Sequence, residues 1–412
     1  MNKKQNVYPW VVTVAMGLTM AAIVDTYSGV IGVFLTPIAK SMHEPISVIS
    51  VFYTILVVVM AVVIPFVGKI IQKVKLSWEL LITVIITALS AFMIANTKNL
   101  IVFYLLAGIL GICMAFGGLV VQGMVINNWF EKRRNFAFSL SSVIEAIFIA
   151  IMTPITSILI QNLGWKHAFL FLAILTLILG IPSALIVKLK PQEVGLLPYG
   201  ALEKEIVYEK NNGNINNNAQ LSTKKLIVSG AFLITVLFTI LVQFSGNITQ
   251  LFPTYGVVTG IGATNGALMT SIVSIVGIVV IPLIGLSCDK FGPNKALPFW
   301  LILGIISYII LCMATQMKSV TLSLLGSGLV CSAYGLFGSG QEIFAKYMFG
   351  KEFEKGFSLV TSISYFVGSF IMPILSGIYE LSGSFLAVFL FCILAAFLMI
   401  LLVIIGKKKR IK

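Results

Sequence analysis

Long apolar runs, each close to the length of a membrane crossing, alternate with short polar breaks along the whole chain. A helix needs about 20 apolar residues to cross the hydrocarbon core. Runs of that kind fall near 9–36, 46–68, 78–96, 100–127, 136–161 and 167–188, and again near 226–252, 263–286, 296–316, 319–345, 356–380 and 384–406. The pattern predicts an all-α membrane protein of twelve transmembrane helices in two sets of six. Between the sets lies KPQEVGLLPYGALEKEIVYEKNNGNINNNAQLSTKK, polar and Asn-rich. Its Asn run has too little apolar surface to offset the entropy of ordering, and reads as disordered. The expected domains are an N-terminal six-helix bundle (1–189), a cytoplasmic linker (190–225) and a C-terminal six-helix bundle with a basic tail (226–412).

Composition agrees: 58% of the 412 residues are hydrophobic and 10% charged, with a mean hydropathy of +1.04. A soluble domain is nearer half apolar and a quarter charged. The formal charge of +14 could suggest nucleic acid, but the charges sit in short runs between apolar stretches, so the expected partner is the bilayer. Of the 28 bases, all but Lys40, Lys98, Lys166 and Lys318 fall on one side if both termini are inside. The positive-inside rule then gives an N-in, C-in, multi-pass protein of the cytoplasmic membrane. The apolar run after MNKK continues to about Leu35 with no small-residue cleavage site, so it reads as a retained first helix. Five cysteines lack metal-ligand or redox spacing and read as small buried hydrophobes.

Landmarks recur at a nearly constant offset. FEKRRNFAFSL (130–140) and FGKEFEKGFSL (349–359) share a basic turn ending in Phe-Ser-Leu, 219 residues apart. Pro154 and Pro373 keep that offset, as do Gly164 and Gly383. IPFVG (64–68) matches IPLIG (281–285), and Pro37 matches Pro253, at offsets two and three residues shorter. Two parallel six-helix halves are the plan of one transporter fold, with substrate at mid-depth between them. The repeated basic turns are then the cytoplasmic hinges after the fourth and tenth helices, and positive-inside anchors at the same time.

GLSCDKFGPNK (285–295) resembles the Gly-xxx-Asp-Lys/Arg-x-Gly loop of the major facilitator superfamily. The resemblance implies tight turns at Gly285 and Gly292, hydrogen bonds accepted by Asp289, and Lys290 facing the cytoplasm, a loop acting on the conformational step. The first-half copy, GKIIQKVKLSW (68–78), departs from it at Gln72 and Lys75. YPWVV, GVFLTPIAK, NNWFEKRRNFAFSL, GWKHAF and KPQEVGLLPYG together resemble the branch of monocarboxylate porters and oxalate/formate antiporters. That branch implies a base in the cavity on the eighth or eleventh helix, and this chain has none there.

Ionisable groups within the bilayer are expensive, about 2.5–3.5 kcal/mol each on insertion scales. Only Asp25 and Glu145 lie deep, while Glu79, Glu342 and Glu380 stand at helix ends. Glu145 lies about 15 Å into the fifth helix at 1.5 Å per residue, with Ser141 and Ser142 one turn earlier. A protonatable carboxyl near the midplane is what proton coupling needs; the alternative for either acid is structural glue between helices. Gln243, Asn247, Gln250 and Thr254 recur on one helical face, expected to line the cavity until Pro253 and Gly256 break the helix. The Pro37/Pro253 register sets Tyr27 opposite Gln243 with Asp25 on the far face, and the 219-residue register returns Asp25 to the cavity edge. Gln122, Tyr334 and Tyr365 are further substrate-side candidates. Helices four and ten are rich in small residues, suited to close packing or sliding.

No Walker loop, nucleophile–base pair or metal-ligand cluster is present, so no cofactor, no metal and no enzymatic activity are expected. The leading expectation is a monomeric secondary transporter of a small organic solute, by resemblance a monocarboxylate-type organic anion, coupled to protons as symporter or antiporter. A proton-coupled exporter of cationic or drug-like solutes is the alternative, favoured by two deep acids without a deep base. A non-transporting membrane sensor is a third and remote one.

Overall fold

The computed structural model describes residues 3–201 and 223–411, and the Asn run of the linker lies outside them. The spans are α1 (Val7–Met42), α2 (Ile46–Gly68), α3 (Leu76–Asn96), α4 (Leu100–Trp129), α5 (Phe136–Leu163) and α6 (Trp165–Ile186). The second set begins with α7 (Gly230–Val258), α8 (Ala263–Phe291) and α9 (Pro293–Met317). The tenth span, α10, is the shorter apolar helix Val320–Tyr334, continued by a π turn, Leu336–Gly340, and a last helix, Gln341–Phe349. α11 (Leu359–Ser382) and α12 (Phe385–Lys409) complete the twelve. Large apolar side chains such as Trp78, Leu105, Ile178 and Val279 stay exposed along them, as a lipid-facing surface requires.

Several of these helices are irregular, and in three of them the irregularity places a polar side chain. In α1, Ala21–Asp25 is a π turn. Both the backbone N–H and the hydroxyl of Thr26 go to the Ala21 carbonyl, which satisfies the widened turn. One extra residue rotates everything beyond it by about 100° at 3.6 residues per turn. α4 breaks at Gly118, whose backbone is extended, and Gln122 stands in the first turn beyond the break. α7 runs regularly to Asn247 and tightens to a 3₁₀ turn over Ile248–Leu251; a last helix, Phe252–Val258, then starts with Pro253. The interruption thus comes before Pro253, where a missing N–H is harmless in a first turn.

Over the described residues the chain forms two compact units that cut across its sequence halves. The first comprises Met1–Gly29, Val59–Ile149 and Leu163–Asn218. The second joins Val30–Val58 and Ala150–Asn162 to Ala219–Lys412, so the later part of α1, the start of α2 and the end of α5 pack with α7–α12.

At one end of the first unit, three stretches that carried the branch resemblance meet. The Trp10 ring lies edge-on to Phe130 (4.9 Å between centroids), Tyr199 (5.5 Å) and Phe136 (5.6 Å), and Tyr8 tilts against Trp129 at 5.4 Å. Tyr199 N–H donates to the Trp129 carbonyl at 2.8 Å, and the N–H groups of Glu131 and Lys132 donate to the Tyr199 carbonyl. Trp129 Nε1 donates to the Lys188 carbonyl at 2.8 Å and Asn128 Nδ2 to the Leu189 carbonyl at 3.1 Å. The start of the linker is therefore strapped to the basic turn between α4 and α5. Trp10→Ala should lower thermal stability in detergent by an amount at the small end of the ~3–5 kcal/mol usual for aromatic truncation in a core. Trp78→Ala, at a position 65% exposed, should leave it unchanged. Equal melting shifts in the two variants would show that the clasp contributes nothing.

Candidate functional site

The first unit holds an acidic centre, buried at Asp25 and half-buried at Glu145. Glu145 on α5 accepts a hydrogen bond from Gln122 Nε2 at 2.7 Å, and the same nitrogen reaches Ser141 Oγ at 2.8 Å. Asp25, set by the π turn of α1, is near enough for the charge of Glu145 to act on it. The helices are drawn together by glycines on either side. A Cβ at Gly17 would stand 3.1 Å from Ser141 Oγ, and one at Gly29 would stand 2.8 Å from the Ile149 side chain. Gly117 of α4 likewise receives Ile23 of the π turn, 2.5 Å from where a Cβ would be. Asp25 Oδ2 and Gln122 Oε1 are buried without a hydrogen-bond partner. Among the described residues neither carboxyl has an ion-pair partner. Asp25 and Gln122 are buried and Glu145 half-buried, so two acids and an amide share one site with two acceptors unused.

The predicted residues divide between this centre and others. Gln122, expected on the substrate side, donates to Glu145, near Asp25; Ser141 joins them and Ser142 is exposed. Tyr27 is fully buried elsewhere, its hydroxyl paired with Thr176 Oγ1 of α6 at 2.9 Å. The second unit contains Gln243 and Asn247, one turn apart and buried on α7, while Gln250 falls in the 3₁₀ turn beyond them. Tyr334 stacks on Phe337 (6.3 Å, 21°), and Tyr365 is a neighbour of Tyr53.

The loop after α8 is used only in part. Gly292 adopts a φ of 79° that favours glycine, and its N–H closes the helix on the Cys288 carbonyl. Gly285, expected in a turn, instead lies inside the helix with open space around it, because α8 continues to Phe291. Asp289 is exposed on the last turn, and Lys290 lies over the Phe291 ring at 5.4 Å.

A polar seam within the second unit holds the parts of α1, α2 and α5 that belong to it. The Glu380 carboxylate of α11 accepts the Ser47 N–H at 2.9 Å and also the Ser47 hydroxyl, placing an anion on the N-terminus of α2, where the helix dipole favours it. Thr54 Oγ1 donates to the Ser369 carbonyl at 2.6 Å, Thr36 Oγ1 to Thr254 Oγ1 at 3.3 Å, and Gln161 Nε2 to Thr264 Oγ1 at 2.9 Å. At Gly32 the backbones nearly touch: a Cβ there would stand 2.0 Å from the Gln250 carbonyl oxygen. Sequence reasoning placed Glu380 at a helix end and gave Gly32 and Ser47 no role. Their partners lie more than 200 residues away in the chain, and no local pattern announces such pairs.

Eleven membrane-length apolar helices and one shorter one, among the described residues, define a multi-span membrane protein. The model of the Major Facilitator Superfamily matches residues 16–345, and the chain belongs to that family. It is a transporter and not an enzyme. No curated protein matches it. Among solved structures, a variant of the nucleoside transporter NupG is similar with a TM-score of 0.75 at 12% identity, covering 98% of this chain and 99% of that one. A bacterial homologue of the human lysosomal transporter Spinster, in an inward-facing and unoccupied conformation, is similar at 0.69 and 16% identity, with both chains fully covered. At these identities the likeness is one of fold.

Proposed function

We propose that the protein moves a small organic acid of the monocarboxylate type across the cytoplasmic membrane by alternating access, coupled to protons. The observation that carries the coupling is the acidic centre: buried Asp25 and half-buried Glu145, with Gln122 donating to Glu145 and, among the described residues, no base paired to either acid. A carboxyl pair that cannot be neutralised by a neighbour must exchange protons when its access to water changes. The substrate class rests on the sequence stretches that resemble the monocarboxylate branch. Sidedness rests on the distribution of Lys and Arg, which supports both termini lying in the cytoplasm.

A second reading, export of cationic or drug-like solutes, is favoured by the same two acids, since a buried anion suits a cation. Proteoliposomes with an imposed pH gradient separate the two. Uptake of labelled pyruvate, lactate or oxalate that collapses with the gradient is the expected outcome. Gradient-driven movement of ethidium, with none of the acids, would replace the first reading by the second.

A further inference from the structure

The second unit contains two polar atoms that proton coupling does not use. Gln243 and Asn247 are 2% and 4% exposed, at i and i+4 on α7. Asn247 Nδ2 donates to the Gln243 main-chain carbonyl at 2.9 Å, which turns Asn247 Oδ1 away from the backbone, and that oxygen has no partner. Rotating the amide would set oxygen against oxygen, so Asn247 offers an acceptor and nothing else. The Gln243 side chain is seated against Gly368 of α11, 2.8 Å from where a Cβ would stand, and its Nε2 is buried without a partner. The nearby hydroxyls, by contrast, are satisfied: Thr239 pairs with Ser364, and Thr249 and Thr270 reach backbone carbonyls. Gln250 Oε1, one turn further on, is likewise buried without a partner, and a donor and acceptors left open on successive turns mark a place that a ligand completes.

The acceptor decides what the ligand must be. A carboxylate brings lone pairs and no hydrogen, so it can satisfy Gln243 Nε2 but would meet Asn247 Oδ1 lone pair to lone pair. α7 and α11 contain no Lys or Arg to offset that repulsion. Side chains at i and i+4 lie about 5–6 Å apart, which two groups on adjacent carbons can bridge. Building on the organic-acid reading, we infer that Gln243 and Asn247 select a 2-hydroxy monocarboxylate, Gln243 donating to the carboxylate and Asn247 accepting from the 2-hydroxyl. A 2-oxo acid, or one whose hydroxyl is methylated, has no hydrogen to give and leaves Asn247 Oδ1 buried and unpaired. Asn247 is then a specificity residue and Gln243 a general one.

The test is inhibition of labelled-lactate exchange in proteoliposomes by unlabelled lactate, pyruvate and 2-methoxypropionate, in wild type, Asn247→Leu and Gln243→Leu. Lactate should compete about 10–100-fold better than the other two in wild type, the order expected when the wrong ligand leaves one buried acceptor unpaired. Asn247→Leu should erase that preference by weakening lactate alone, with pyruvate and 2-methoxypropionate retained, whereas Gln243→Leu should weaken all three. Retention of the two poorer competitors also shows that the Asn247→Leu protein is folded. Equal competition by all three acids in wild type, or an equal loss of all three in Asn247→Leu, would overturn the inference and leave the organic-acid reading standing. Failure of every monocarboxylate to enter or compete in wild type would overturn both.

Discussion

Glu145→Gln is expected to leave exchange of labelled for unlabelled substrate intact while abolishing accumulation against a gradient. The amide preserves the shape of the side chain and an oxygen able to accept from Gln122 Nε2, which now reaches Glu145 at 2.7 Å. The α4–α5 contact through Ser141 therefore survives, and with it the fold of the first unit. What is lost is the ability to release a proton. A carrier frozen in its protonated form can still reorient when loaded, so exchange continues. It cannot discharge the proton and return, so net uptake, whether driven by a pH gradient or by solute alone, should be lost. A purely structural Glu145 behaves differently, because both activities then survive or decline together. The ratio of exchange to pH-driven uptake in one liposome preparation separates the cases. A wild-type ratio would assign coupling to Asp25 or to another group.

Gly32→Ala should produce the second large loss, through conformation. The added methyl would stand 2.0 Å from the Gln250 carbonyl oxygen and 2.9 Å from its carbon. Both atoms are backbone, so no rotamer change relieves the contact. Overpacking of this kind costs about 1–3 kcal/mol, and each ~1.4 kcal/mol is tenfold in a population. The seam that joins α1 to α7 should then open, exposing Thr254, which is buried and paired with Thr36 when the seam is closed. Reaction of Thr254→Cys with an impermeant maleimide should be slow in the parent and fast with Gly32→Ala, and transport should fall in step. Gly377→Ala, where a Cβ meets nothing within 4 Å, should change neither. Unaltered labelling in the Gly32→Ala background would mean that the backbones separate without consequence.

The spans were legible because burial in lipid demands long apolar runs, whereas the compact units, which take Val30–Val58 and Ala150–Asn162 with the later spans, were not. The irregular turns were not legible. AAIVD contains no Gly or Pro, so nothing local announces the π turn that swings Asp25 toward Glu145. The two competing registers for Asp25 arose from the same cause, since the offset between repeats drifts by three residues where such turns intervene. Glu145 and its one-turn neighbour Ser141 could be read from helical spacing, but Gln122 was assigned to substrate because the break at Gly118 that aims it at Glu145 depends on tertiary packing. The stretches YPWVV, NNWFEKRRNFAFSL and KPQEVGLLPYG were noticed as a resemblance, and the clasp around Trp10 gives them a physical reason to occur together.

The most direct measurement is of proton flow driven by solute. Liposomes containing the purified protein, lightly buffered and with no initial pH difference, are given an inward gradient of lactate with the membrane potential clamped. Protons should move in with the solute, acidifying the lumen, and Glu145→Gln liposomes should show neither net solute entry nor a pH change. Lactate entry without a change in luminal pH would contradict proton coupling and with it the role assigned to the Asp25–Glu145–Gln122 centre.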